Sequence, residues 1–187
     1  MLGQPITGCP HHPRRHSARI LTKPLLYVDV DGVLSLFSTP QEKPPIRPDT
    51  HFLNVEGVGH LIAMDNCRRL GTLTDVFDLV WATGWEEKAN ENLLDLVGLP
   101  GPLEVIAFKT RRYDHQAHWK LGALEAHSGS RPLAWIADAL DDECRAWAAA
   151  RTAPTLLIET ETAVGLTEAD VARLRAWADD LTAATGA

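Results

Sequence analysis

Residues 25 to 37 read LLYVDVDGVLSLF. Two aspartates, Asp29 and Asp31, stand one residue apart at the end of an apolar run, and Gly32 follows. Alternate residues of a strand share a face, so both carboxylates fall on one side of the chain. At a separation of about 5 Å they repel by about 3 kcal/mol at an effective dielectric of 20. Either positive charge lies between them or they take up protons. Further along come Thr83-Gly84 in WATGW, Lys120 in HWKLGAL, and Asp138 in WIADALDDE, with Asp141 and Asp142 close behind. Several carboxylates and oxygen donors point to Mg²⁺, which favours octahedral oxygen coordination completed by water and phosphate. Lys120 supplies a second positive charge. The Thr83 hydroxyl and the Gly84 N–H can donate hydrogen bonds to an anion. Together these groups describe a phosphate site, where cation and lysine offset the repulsion between an anionic nucleophile and an anionic substrate. A carboxylate can attack phosphorus to give an aspartyl-phosphate. A second acid two residues on can protonate the leaving oxygen and then deprotonate the attacking water. That assigns Asp29 as nucleophile and Asp31 as acid/base, with Gly32 letting the chain turn away without a side chain in the path of the phosphoryl group.

The elements that would position these groups are regular from Leu25 onward. LLYVDV (25–30) is a continuous apolar strand, as expected where both faces are covered. The proline-rich stretch 35–50 cannot hold a helix. HFLNVEGVGHLIA (51–63) reads as a hairpin with Glu56-Gly57 at its turn. Residues 64–76 read as a helix capped by Asp65, and FDLVWAT (77–83) as a second buried strand. The next helix, 85–99, has Leu93, Leu94 and Val97 on its apolar side and Gly98 as its stop. LEVIAF (103–108) is a third strand and 117–127 a helix. RPLAWIAD (131–138) is a fourth strand, 141–151 a helix, and TLLIET (155–160) a fifth strand. The last helix, 166–181, has Thr167 as cap and a stripe of Val171, Leu174, Trp177 and Leu181. Short apolar strands alternating with helices predict an α/β fold of three layers, Rossmann-like, with a mainly parallel sheet, helices on both faces and a small hairpin flap. In such a sheet ligands bind beyond the carboxyl ends of the strands. The first, second and fourth strands end at Asp29-Val30-Asp31-Gly32, Thr83-Gly84 and Asp138, so three strands bring polar groups to one rim.

These four stretches, DVDGVL, WATGW, HWKLGAL and WIADALDDE, resemble the ordered motifs of the haloacid dehalogenase (HAD) superfamily across roughly residues 25 to 160. The resemblance implies Asp29 as nucleophile and Asp31 as general acid/base, with Thr83 and Lys120 on the phosphoryl group. It implies Mg²⁺ held by Asp29, the backbone carbonyl of Asp31, and Asp138. Its second fourth-motif acid falls on Asp141 or Asp142, and spacing favours Asp142. The DxD form resembles the family's phosphatases more than its dehalogenases. Lys120 lacks the proline that commonly follows the family's lysine, which leaves Lys109 as an alternative. Residues 34–75 have room for a flap but not for a separate cap domain, and 109–118 is short as well. The resemblance is therefore to a capless member. An open site suits a large substrate, a nucleic-acid end or a phosphoprotein, or a partner that supplies the lid. The proline-rich PQEKPPIRP (40–48) would border the site. Lys109, Arg111, Arg112 and Lys120 form a local basic strip. Trp85 and Trp119 flank motif residues, where a base could stack, although tryptophans in this setting more often belong to the core.

Plainer readings compete. Thr83-Gly84 by itself is a turn, Lys120 by itself a surface lysine, and Asp141, Asp142 and Glu143 can serve only to cap a helix and favour its dipole. His115, His118 and His127 are poorly spaced for a metal. A receiver-type signalling domain also gathers acids, a threonine and a lysine around Mg²⁺, but carries its phosphorylated acid on the third strand, and LEVIAFKT has none at its end. A non-catalytic or partner-dependent phosphate-binding module of the same fold is the remaining alternative to a Mg²⁺-dependent phosphomonoesterase.

The totals bound the rest. A chain of 187 residues suffices for one domain with a sizeable core, expected over 24–187 after a loose tail at 1–23. In that tail Cys9, His11, His12 and His16 lack a second ligand pair at finger spacing. The formal charge of −7 argues against broad binding to nucleic acid through phosphate neutralisation. Cys9, Cys67 and Cys144 are odd in number and far apart, which fits a reducing compartment and a cytoplasmic location. No apolar run approaches the roughly 18 residues of a membrane span.

Overall fold

The computed structural model describes residues 22–39, 41–108 and 116–186. Most of the expected tail, with Cys9, His11, His12 and His16, lies outside the described residues, as do Lys109, Arg111 and Arg112 of the basic strip and the nearby His115.

Leu25–Val28 (β1) is buried at every position because it runs through the middle of a sheet. Counting strands in chain order, its neighbours are Asp78–Trp81 (β5) and Leu133–Ala137 (β7), and the edges are Glu104–Val105 (β6) and Thr155–Glu159 (β8). The order is β6-β5-β1-β7-β8 and every pairing is parallel. Successive side chains leave opposite faces, and each face has its own core. Leu26, Val28, Trp81 and Ile136 pack with Cys67, Leu93 and Leu174, which come from Met64–Gly71 (α1), Glu87–Val97 (α2) and Glu168–Gly186 (α5). Leu25, Tyr27, Val80 and Trp135 pack with Leu124 and Cys144, from Leu121–Ser128 (α3) and Asp142–Ala150 (α4). The three-layer Rossmann-like fold with its mainly parallel sheet is thus the one expected. No helix among the described residues is long and apolar enough to cross a membrane.

A small antiparallel sheet, β2-β4-β3, lies between β1 and α1. Thr50–Val55 (β3) and Val58–Ala63 (β4) form the expected hairpin. Glu56 and Gly57 both have positive φ, +52° and +86°, the signature of a turn whose twist matches the flanking strands. The Asn54 Oδ1 accepts the Gly57 N–H at 3.0 Å. The proline-rich stretch was expected to be irregular from its start, but Ser35–Leu36 (β2) pairs with Leu61 and Ile62, so the flap has three strands.

Four other expectations shift, each for a local reason. β1 stops at Val28 rather than Val30, because the Val30 carbonyl accepts the N–H groups of Val33, Leu34 and Ser35 in a tight turn. β6 keeps two residues of the expected six: β5 ends at Trp81, whose carbonyl takes the Ile106 N–H at 2.9 Å, and no partner backbone follows. Asp65 does not cap α1. That helix starts directly from β4, and the Asp65 N–H donates instead to the Asp49 carboxylate at 2.7 Å. The helix expected at 117–127 begins as a 3-10 turn, Ala117–Lys120, anchored by the Ala117 N–H on the Ala139 carbonyl at 2.9 Å. Thr167 caps α5 as expected, reciprocally with Asp170.

The turn after β1 is fastened to the loop after β8. Asn66, fully buried, donates to the Val33 and Val164 carbonyls at 2.9 and 3.0 Å. Gly165 has φ +67°, and a Cβ there would lie 2.2 Å from the Val33 carbonyl oxygen. Gly165→Ala is expected to destabilise the protein by about 1–3 kcal/mol from backbone strain alone, with the clash adding to it. Urea unfolding measures this, and an unchanged midpoint would show that this contact does not hold the turn.

Candidate active site

The chain leaves β1 toward β5 and β6, then crosses to β7 and β8, so the carboxyl ends of β1, β5 and β7 border one crevice. Asp29 directly follows β1, and its N–H donates to the Ile136 carbonyl of β7 at 3.0 Å. Thr83 lies two residues past β5, and Asp138 directly follows β7. Lys120 closes the 3-10 turn and reaches the same point.

Asp29 and Lys120 are both almost wholly buried, at 9% and 4% exposure. The Lys120 ammonium donates to the Asp29 Oδ2 and to the Ala82 carbonyl, the latter at 2.9 Å. It also lies 5.5 Å from the Trp119 ring centroid and 6.0 Å from that of Phe108, within reach of both π-faces. The Asp29 Oδ1 accepts the Val30 N–H at 2.8 Å. Lys120 thus supplies positive charge of the kind the two adjacent acids required, while Lys109 lies outside the described residues.

One lysine leaves two acids uncompensated. Burial and the charge of Asp29 push the Asp31 carboxyl up to about 6, against the pull of the Trp85 indole, Lys120 and Ser35. Its side chain still opens to the mouth of the crevice, 47% exposed, so the shift comes from the packed side of the carboxyl and from Asp29. Burial and Asp29 likewise raise Asp138, against Thr162, whose hydroxyl donates to the Asp138 Oδ2 at 3.2 Å.

Thr83 is fully buried, and its Oγ1 accepts the Trp85 N–H at 3.3 Å, which leaves the hydroxyl proton for another acceptor. Gly84 is exposed, and a Cβ there would meet nothing within 4 Å, so space does not require glycine. Gly32 is different: its φ is +69° and a Cβ would fall 2.1 Å from the Asp138 Oδ2. Its bareness lets the Asp138 carboxylate lie against the turn that carries Asp31. Asp142 is exposed on the first turn of α4, and no contact among the described residues ties it to Asp29, Asp31 or Asp138. Asp141 is the helix cap: its carboxylate accepts the Cys144 N–H at 2.9 Å and faces the His118 Nδ1 at 2.6 Å.

Several contacts escaped sequence reasoning. Trp85 donates its indole N–H to the Asp31 Oδ2 at 3.1 Å, and at 7% exposure it belongs to the core rather than to a stacking platform. His60, from β4 of the flap, lies 3.6 Å from the Asp31 Oδ1, is 3.0 Å from the Ser35 Oγ, and packs its ring 4.4 Å from that of Trp85. Thr160 and Thr162 follow β8 and hold the Gly32 carbonyl and Asp138. The WATGW stretch displayed Trp85, but a lone hairpin histidine and two loop threonines carry no signal of their own.

No three His, Cys, Asp or Glu side chains gather in a metal-binding group among the described residues. Mg²⁺ needs fewer, since it keeps several waters and takes one or two carboxylates plus substrate phosphate. Two features of the crevice suit it: its donors are hard oxygens, and among the described residues its acids outnumber its lysines, with Asp29 raising Asp138.

A family model described as the HAD domain in Swiss Army Knife RNA repair proteins matches residues 25–171. No curated protein matches the chain.

The His118–Asp141 contact fastens the Lys120 turn to α4. Burial acts to raise the Asp141 carboxyl, but the Cys144 N–H and His118 hold it down at about 2. A carboxyl depressed in the folded state stabilises the fold above its unfolded value near 4, and that contribution is lost as the pH falls from about 4 toward 2. Asp141→Ala is expected to cost about 1 kcal/mol at neutral pH through the lost cap and to flatten this acid limb. Thermal melts of both proteins between pH 2 and 7 check it; parallel curves would show that Asp141 does not couple to folding.

Proposed function

The chain belongs to the HAD superfamily, in the family of HAD domains from RNA repair proteins, and we propose that it is a Mg²⁺-dependent phosphomonoesterase acting on a phosphorylated nucleic-acid end. Family membership supports a HAD-type phosphatase. The observation that carries the finer reading is the buried Asp29–Lys120 pair at the end of the central strand, with Asp31 beside it raised to about 6. Two carboxyl groups in unlike environments suit a nucleophile and an acid.

In the proposed reaction an Asp29 oxygen attacks phosphorus. The O–P bond to Asp29 forms as the bond to the leaving oxygen breaks, and Asp31 gives that oxygen its proton. Asp31 then takes a proton from water, whose oxygen attacks the aspartyl-phosphate and returns Asp29 with release of inorganic phosphate. Lys120, the Thr83 hydroxyl and the Gly84 N–H hold the phosphoryl oxygens as charge builds on them. The Trp85 N–H aims the Asp31 carboxyl. Mg²⁺, held by Asp29, the Asp31 carbonyl and Asp138, would supply the positive charge that lets a carboxylate approach a phosphoryl group. The flap leaves the mouth open at Asp31, which suits a long substrate, and the family's description favours nucleic acid over phosphoprotein.

Phosphate release from 3′- and 5′-phosphorylated oligonucleotides, phosphopeptides and p-nitrophenyl phosphate tests this reading. EDTA is expected to abolish release and Mg²⁺ to restore it; a rate indifferent to both would overturn the metal role.

Asp29→Asn is expected to lower turnover at least about 10³-fold. It also leaves the Lys120 charge buried without a counter-charge, at about 3–5 kcal/mol. Adding Lys120→Met to Asp29→Asn is expected to recover much of that stability with no recovery of activity. Wild-type turnover by Asp29→Asn would remove the nucleophile assignment.

A further inference from the structure

The edge strand β6 and helix α3 do not close on each other. A cavity of about 610 Å³ opens between them. On its α3 side Gly122, Ala123 and Ala126 offer nothing longer than a methyl group, and His127 of the same helix also lines the cleft. A stripe of small residues is not a site by itself. Here it lies beneath an aromatic wall, Phe108 and Trp119, packed edge to face at 4.7 Å and both only partly buried. The same Trp119 ring lies 5.5 Å from the Lys120 ammonium. The wall of the cleft and the proposed phosphate-holding lysine are thus consecutive residues, which sets the cleft beside the proposed phosphate position.

We propose that this cleft is a nucleoside subsite: it takes the base adjacent to the phosphate that Lys120 and Asp29 engage, with that base stacked on Trp119. The proposal rests on the phosphomonoesterase reading and deepens it. Net charge favours this occupant's mode of binding. A chain of formal charge −7 has little to gain by neutralising a run of phosphates. Base stacking on an aromatic ring is a contribution independent of that charge and tolerant of sequence. Trp85, the other tryptophan beside a motif, is excluded from the role because its indole is buried and bonded to Asp31.

Two oligonucleotides with the same terminal phosphate test the proposal, one bearing its terminal base and one abasic there. The wild-type protein is expected to show a kcat/KM about tenfold higher on the base-bearing end. Trp119→Ala is expected to bring that ratio close to one, and Trp119→Phe to keep most of it. Ala123→Leu, which fills the floor of the cleft, is expected to lower the ratio as well, and covers the case in which Trp119→Ala does not fold. Equal Mg²⁺-dependent turnover of both ends by the wild-type protein overturns the subsite and leaves the phosphatase standing. So does a phosphopeptide turned over better than either oligonucleotide. If no substrate is turned over, the phosphatase reading fails, and binding of the two oligonucleotides to the wild-type protein decides: tighter binding of the base-bearing one, lost in Trp119→Ala, supports the subsite, and equal binding overturns it.

Discussion

Lys120 and Asp29 are both nearly out of solvent, and each would be costly there without the other. The pair lies where β1, β5 and β7 end, and its bonds reach two of those strands' ends. The Lys120 ammonium is held by Asp29 and by the Ala82 carbonyl just past β5. Asp29 in turn is fixed to β7 through its N–H on the Ile136 carbonyl. The sheet order therefore has a chemical consequence: β1 beside β5 lets one lysine bridge Asp29 and the Ala82 carbonyl, and β1 beside β7 gives the Asp29 N–H its acceptor. Much of the surroundings serves to hold the ammonium in place. The 3-10 turn that carries it is anchored on Ala139, clipped to α4 through His118 and Asp141, and backed by the rings of Trp119 and Phe108.

Close backbone approach builds the other half of the crevice. Three N–H groups converge on the Val30 carbonyl, which curls the chain back within a few residues of β1. That curl brings Gly32 against Asp138 and Val33 against Gly165, where a Cβ would clash in either case. Asn66 and Thr160 then bond carbonyls of the curl, at Val33 and Gly32. Packing of this kind leaves little latitude, so the separation of Asp31 from Asp138 is set by main chain rather than by flexible side chains.

Much of this was legible in the sequence and some was not, for physical reasons. Buried parallel strands announce themselves as apolar runs, and polar residues at their ends mark the rim. Asp29, Asp31, Thr83 and Asp138 could be found that way, while Lys120, at the start of a helix, stood out only through its motif stretch; the structure bonds Lys120 to Asp29 at the strand ends that carry the others. The hairpin was legible because Glu56-Gly57 is local turn chemistry. The third flap strand was not, because Ser35–Leu36 has only two residues and exists through pairing with Leu61 and Ile62. The cap of α1 was misread for the same reason: its acceptor, Asp49, is distant along the chain. Spacing favours Asp142 as the second acid of that stretch, and only the fold shows Asp141 engaged as a cap and Asp142 exposed.

Asp29 and Asp31 are two residues apart, yet they are held by different parts of the protein. Asp29 has both oxygens occupied by the body of the domain, through the Val30 N–H and Lys120. Asp31 lies past the end of the strand, bonded by the Trp85 indole and approached by His60 of the flap. The flap thus does more than border the opening. His60 packs on Trp85 and bonds Ser35, so the neighbours of Asp31 depend on how β4 docks. A carboxyl raised by burial needs neighbours that exclude water from part of its surface, and here one of those neighbours, His60, belongs to the flap. The docking of β4 and the environment of Asp31 are therefore coupled through one histidine, while the ion pair below remains set by the sheet.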